Sequence, residues 1–210
     1  MDCLIFDFDG VILDSNGVKI NAFREIFSED GTKEEIDEFI DYHLESGGIS
    51  RFVKIAYFYE NILLKPISEA EILEKAEKFG EIVLSSFANG SAIIEDTLAF
   101  IKSVHTKVPL HIASGGLESE LKQICQDLHI SQYFRSIHGS PTPKVLLINE
   151  ILKANGYDPK RCVMFGDSIK DYEAASMNKI KFFGYNKESL RTVGEGYLDS
   201  FKEFNLKLID

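Results

Sequence analysis

Four stretches of this sequence bring together residue types that can do chemistry on a charged group. The first is DCLIFDFDGVILD, residues 2–14, where the apolar run Cys3 to Phe6 stops at Asp7 and Asp9 and then Gly10. Two carboxylates after four apolar residues are costly to bury unless they are paired or bound to a cation. If the strand continues through Phe8 both acids share a face; if it breaks at Gly10 one can swing away from the other. The second stretch, HIASGG, places Ser114 and Gly115 after an apolar run. A hydroxyl with free backbone N–H groups ahead of a helix makes an anion cradle. The third, SPTPKVLL, places Lys144 after Pro143 at a helix start. The macrodipole disfavours a lysine there by up to about 1 kcal/mol, unless it faces an anion. The fourth, MFGDSIKD, ends an apolar run with Asp167 and sets Asp171 four residues later. Two acids so spaced beside a strand end suit a hard cation bound through oxygen.

Each stretch has a plainer reading. The acid pair is an acidic turn, SGG a common loop, Lys144 a solvated first-turn lysine, Asp167 an N-cap and Asp171 a solvated helix acid. Position separates the two readings. From about Phe87 the chain alternates between helical periodicity and short apolar runs, with strands expected at 109–113, 134–137, 161–165 and 180–183 and a last short element near 204–209. Helices are expected around Leu98, around Leu121, over 144–154 and from Lys170. This alternation predicts a Rossmann-like α/β fold, a parallel sheet with right-handed crossovers. In such a sheet the carboxyl ends of the strands share one edge, where ligands sit. All four stretches then converge on it.

Between the first strand and that alternation, helical periodicity prevails. Ile36, Phe39, Ile40 and His43 fall at i, i+3, i+4 and i+7, as do Phe52, Ile55, Ala56 and Tyr59; Ile72, Ala76, Phe79 and Val83 form a third stripe. Ser68 and Glu71 read as a capping box, Gly47 and Gly48 as a turn, and Tyr57-Phe58-Tyr59 as helix core with one exposed member. Residues 15–85 are therefore expected to form a small helical unit inserted into a core made of 1–14 and 86–210.

The composition, 44% hydrophobic and 27% charged over 210 residues, is ordinary for a globular protein. A net charge of -11 argues against nucleic acid as a partner, and means that an anionic substrate needs local positive charge or a metal. No apolar run approaches a membrane span, and no basic, uninterrupted leader opens the chain. Three cysteines without CxxC spacing read as reduced thiols. Together these predict a cytoplasmic location, and they set no oligomeric state.

In this order the four stretches resemble the motifs of the haloacid dehalogenase-like (HAD) superfamily: DFDGV first, the serine of IASGG second, Lys144 third and GDSIKD fourth. The helical insert is similar to the cap of phosphoglycolate phosphatase-like and β-phosphoglucomutase-like members. Many relatives carry KPxP at the third motif, whereas SPTPK puts Ser140 at the usual lysine position and Lys144 four residues later. Lys144 takes the role as the only lysine between Lys122 and Lys153.

The resemblance implies a mechanism. Asp7 would attack phosphorus to give an aspartyl-phosphate, and Asp9 would serve as acid and then base. Mg²⁺ would be held by the Asp7 carboxylate, the Asp9 carbonyl and Asp167, with Asp171 close by. Ser114, Gly115 and Lys144 would hold the phosphoryl oxygens. In the cap, Arg51 follows a segment similar to the specificity loop, Gly48-Ile49-Ser50, and could meet the leaving group. Lys19 stands where mutase relatives tend to carry a proton-transferring histidine. The expected activity is Mg²⁺-dependent hydrolysis of a small phosphorylated metabolite, such as a sugar phosphate. A phosphomutase is the rival within the family, and a non-catalytic phospho-acceptor module the rival outside it.

Overall fold

The computed structural model describes residues 1–47, 49–87 and 92–206. Six parallel strands form one sheet in the order β3-β2-β1-β4-β5-β6. They are β1 (Cys3–Phe6), β2 (Leu110–Leu117), β3 (Ser136–Ser140), β4 (Cys162–Gly166), β5 (Lys181–Tyr185) and β6 (Gly196–Leu198). The chain runs outward from the central β1 through β2 to β3, then returns to β4 on the other side of β1. That reversal opens a crevice at the carboxyl ends of β1 and β4.

Alternation along the central strands explains the two cores. Leu4, Phe6, Val163 and Phe165 point into one apolar cluster, and Cys3, Ile5, Cys162 and Met164 into the other. Strands apolar on both faces belong to a sheet covered on both sides. One face meets α5 (Glu95–Val104) and α6 (Glu118–Asp127), where Phe6 and Phe165 lie 5.1 Å apart by ring centroid and Phe100 stacks on Phe201 at 5.0 Å. The other meets α7 (Lys144–Asn155) and α8 (Ile169–Met177). All three cysteines are buried and free.

Between β1 and α5 the described residues form four further α-helices, α1 (Asn16–Phe27), α2 (Lys33–Glu45), α3 (Arg51–Tyr57) and α4 (Glu69–Phe87), with a π-helical turn at Phe58–Ile62 after α3. They form an all-helical cap around stacked aromatics, with Phe27 on Phe58 at 3.9 Å and Phe23 against Phe39 at 4.9 Å. Ile36, Phe39, Ile40 and His43 are all buried, as their spacing predicts. The Ser68–Glu71 box is present: the Ser68 N–H and hydroxyl donate to Glu71 Oε2 at 2.8 and 2.6 Å, and the Glu71 N–H returns to Ser68 Oγ at 3.3 Å. Phe58 and Tyr59 are buried, and Tyr57 is half-buried on Tyr42 at 3.7 Å.

Some strand bounds differ from expectation. β2 does not end at 113 but runs through the glycines to Leu117, with a register shift after Ala113 before Leu117 pairs Ser140. Glycines tolerate such an irregular ladder. β3 lies two residues later than its apolar signal because Ser131–Tyr133 forms a short 3-10 turn that carries Phe134 into the core. Three-residue β6 has no sequence signal. Near the end the chain forms a 3-10 turn at Phe201–Glu203. Of the expected 204–209 element, 204–206 form no strand or full helix and 207–209 lie outside the described residues, as do Gly48 and the 88–91 stretch beside the expected domain boundary. Among the described residues no helix is long and apolar enough to cross a membrane.

Candidate active site

The crevice is built from the ends of β1 and β4. The Asp7 N–H donates to the Phe165 carbonyl at 2.9 Å, which extends the β1–β4 ladder one residue and sets Asp7 beside the turn that carries Asp167. Gly10 then leaves the sheet with φ +72°, and a Cβ there would lie 2.1 Å from Asp167 Oδ2. Only glycine allows both that backbone turn and the approach of Asp167. Gly166 is equally restricted, because a Cβ would meet that of Asp171 at 2.4 Å.

Asp171 is fully buried and serves two partners. Its Oδ2 accepts from the Ser168 N–H at 3.0 Å and hydroxyl at 2.6 Å, and its own N–H donates to Ser168 Oγ at 3.3 Å. The N-cap of α8 is thus Ser168, not Asp167, which leaves the Asp167 carboxylate free of capping duty. Asp171 Oδ1 takes the Lys144 ammonium, which also stands 2.8 Å from Asp7 Oδ1. Lys144 at the first residue of α7 therefore faces anions, which is what the unfavourable dipole position requires. The contact with Asp7 is an ion pair without hydrogen-bond alignment, so this buried Asp7 oxygen accepts no hydrogen bond.

Asp7, Asp167 and Asp171 each offer an oxygen within 4.8 Å of the others. One ammonium does not balance three such charges. Burial, with the charge of Asp171 behind it, pushes Asp7 up to about 7 despite Lys144. Burial and the charge of Asp7 push Asp167 up to about 8. An all-oxygen donor set in which three carboxylates share one ammonium fits a hard divalent cation.

Asp9 is turned away from this cluster. The Ser15 hydroxyl donates to its Oδ1 at 2.5 Å, and Lys19 of α1 pairs with Oδ2 at 2.5 Å. Burial acts to raise its pKa, but Lys19 and Ser15 outweigh it and hold Asp9 below the ordinary carboxylate range. Ser114 is buried on β2, its oxygen accepting the Gly116 N–H at 3.1 Å, which leaves its proton free to donate.

A cavity of about 240 Å³ lies over these groups, reached by Asp7, Asp9, Asp167 and Gly115 from the sheet and by Lys19, Arg51 and Lys54 from the cap. Arg51 lines it with its charge already engaged. Nη1 donates to Glu120 Oε1 at 2.8 Å and to the Ala76 carbonyl at 3.1 Å, and Nη2 meets Glu120 Oε2, tying α3 to α6. Asn186, His43 and Lys54 are among the lining residues that sequence pattern does not mark as site residues. Asn186, whose side chain donates to the Gly10 carbonyl at 3.1 Å, follows β5 and was findable by the strand-end rule. His43 was placed only as core, and Lys54 sits in an apolar helix with nothing in its spacing to distinguish it from a solvated lysine.

Comparison with known proteins agrees with this geometry. The family model described as haloacid dehalogenase-like hydrolase matches residues 4–185. The chain belongs to that family. It is 25% identical over 187 residues to the fructose-1-phosphate phosphatase of Escherichia coli, covering 84% of this chain and 94% of the relative. It is 28% identical over 202 residues to the phosphoglycolate phosphatase of Aquifex aeolicus, covering 89% and 87%. A β-phosphoglucomutase from Clostridium difficile superposes with a TM-score of 0.80 over all of this chain and 95% of that one, at 20% identity, which is a likeness of fold.

Proposed function

We propose that this hydrolase is a Mg²⁺-dependent phosphatase of a small phosphorylated metabolite, with residues 15–85 as cap and 1–14 with 86–210 as catalytic core. The observation that carries the reading is the cluster of Asp7, Asp167 and Asp171 around Lys144 beneath a small cavity. Two relatives named as phosphatases of small phosphate esters support it. The cavity, about 240 Å³, is below the roughly 300–1,000 Å³ of drug-sized sites and suits a metabolite rather than a macromolecule.

Asp7 attacks phosphorus, and its carboxylate oxygen forms the new bond as the alkoxide leaves. Asp9, once protonated from solvent against the pull of Lys19, hands the leaving oxygen that proton and, as a carboxylate again, takes one from the water that attacks the aspartyl-phosphate. Lys144, the Ser114 hydroxyl and the Gly115 N–H hold the phosphoryl oxygens while their charge redistributes. Asp7, the Asp9 carbonyl and Asp167 would hold the cation, with Asp171 beside them. Bound Mg²⁺ would offset repulsion between these acids and a phosphate dianion and polarise the phosphoryl group.

The test is Mg²⁺-dependent phosphate release from a panel of phosphate monoesters by the native chain and by Asp7→Asn. Loss on the order of 10³-fold or more is expected when a nucleophile is removed. Equal rates in both would overturn the reading.

A further inference from the structure

The charges around the cavity do not all cancel within the protein. Lys19 is taken by Asp9 and Arg51 by Glu120, while Glu45 and Lys187 are exposed to solvent. Lys54 is different: it is 4% exposed, lines the cavity, and meets no carboxylate within ion-pair distance among the described residues. Its ammonium reaches His43 Nδ1 at 2.7 Å and the His43 carbonyl at 3.2 Å, which uses two of its three donors. With Lys54 protonated and donating to Nδ1, the His43 ring carries its proton on Nε2. That N–H has no protein partner among the described residues, and His43 lines the same cavity. Two spare donors and a positive charge without a direct ion pair therefore share a cavity with the nucleophile, only the more distant Asp9 acting in favour of that charge.

A buried ammonium without a counter-ion is costly. Burial, joined by the nearby Lys19 charge, lowers Lys54 to about 7, and burial with the Lys54 charge lowers His43 to about 3. His43 packs edge-on against Phe23 at 4.9 Å, so no rearranged ring is at hand to relieve Lys54. Loss of its proton relieves part of that cost, and an anion entering the cavity would relieve it while keeping the charge.

We infer that Lys54, assisted by His43, is a specificity-determining residue for a leaving group that carries its own negative charge, a carboxylate or a second phosphate, in preference to a neutral polyol. The inference rests on the phosphatase reading above and names the class of ester that this site prefers.

Two matched substrate pairs test it. 3-Phosphoglycerate and glycerol 3-phosphate differ by a carboxylate against a hydroxymethyl group; fructose 1,6-bisphosphate and fructose 1-phosphate differ by a second phosphate. The native chain should favour the anionic member of at least one pair by about 10-fold or more in kcat/KM, and the pair that responds identifies the anion. Lys54→Met should reduce that ratio by about 10-fold, chiefly through KM, with a Tm equal to or above the native value because a costly buried charge is gone. A native preference for the neutral members, which needs no variant at all, would overturn the inference. So would equal loss on both members of a pair in Lys54→Met, or a lowered Tm with the ratio intact, since Lys54 would then be a structural lysine. Absence of Mg²⁺-dependent release from all four esters and from p-nitrophenyl phosphate would instead sink the phosphatase reading itself.

Discussion

At the scale of single residues, the site assigns opposite conditions to two aspartates only two positions apart. Asp7 stays on the axis of β1, buried among other acids and pushed up to about 7, first by burial and then by Asp171. Asp9 lies beyond the end of β1, where Lys19 and Ser15 overcome its burial and keep it ionised. That separation comes from the strand ending at Phe6 and the chain turning at Gly10, so the two carboxylates never share a face. Lys19 thus acts on the proposed acid–base group. Removing it should let burial dominate, so the Asp9 pKa rises and the acidic limb of the kcat profile moves to higher pH. In Lys19→Met the loss at pH 6 should be smaller than the roughly 10²–10⁴-fold expected of Asp9→Asn, which removes proton transfer altogether. Rate profiles from pH 5 to 8 check this; an unmoved acidic limb in Lys19→Met would show that the pair has no part in the proton transfer.

At the scale of elements, what was readable in the sequence followed from period and punctuation. The stripe through Ile36 and His43, the Ser68–Glu71 box and the acid-terminated runs at Phe6 and Phe165 each state their structure in residue type and spacing. β6 has only three residues, and the extension of β2 through Gly115 and Gly116 runs against strand propensity, so tertiary pairing decides both. The site was legible where a strand end carried an acid, and illegible where it depends on packing between elements. The ion pair of Arg51 with Glu120 joins residues 69 positions apart, and Lys54 becomes a cavity residue only through the fold of the cap. Because aspartate and serine cap equally well, residue type leaves Asp167 readable either as the N-cap of α8 or as a cation ligand; the cap is Ser168, and Asp167 lies in the carboxylate cluster. This distinction is measurable. Ser168→Ala should cost about 1 kcal/mol and lower Tm by about 2–4 °C, as loss of a cap does. Asp167→Asn, which removes a poorly compensated buried charge, should leave Tm unchanged or higher in EDTA while losing the response to added Mg²⁺. Thermal melts of both variants in EDTA and in Mg²⁺ separate the capping residue from the cation ligand, and a Tm loss confined to Asp167→Asn would reverse the assignment.

At the scale of the whole molecule, a chain of net charge -11 concentrates three carboxylates at the centre of its sheet, and that has a thermodynamic consequence. Without cation, Asp7 and Asp167 hold protons up to about 7 and about 8 that the unfolded chain releases near 3.8. The folded state then binds more protons than the unfolded one between those limits, so this contribution to stability is greatest below about pH 4 and is lost as pH rises towards 8. Lys54 and His43, both lowered by burial, contribute in the opposite sense, gaining as pH rises. The informative quantity is therefore the difference between melts with and without Mg²⁺ at each pH. A cation that binds the ionised cluster has to displace those protons at low pH and meets few of them at pH 8. Saturation at 100 times the dissociation constant stabilises by about 2.7 kcal/mol, or about 5–11 °C in a domain of this size. The Mg²⁺-induced rise in Tm should accordingly be several degrees at pH 8 and should shrink by more than half at pH 5.5, with proton release on Mg²⁺ binding detectable by calorimetry in buffers of different ionisation enthalpy. An equal rise at both pH values, without proton release, would mean that the three carboxylates are already ionised in the cation-free fold and that Lys144 suffices to hold them together.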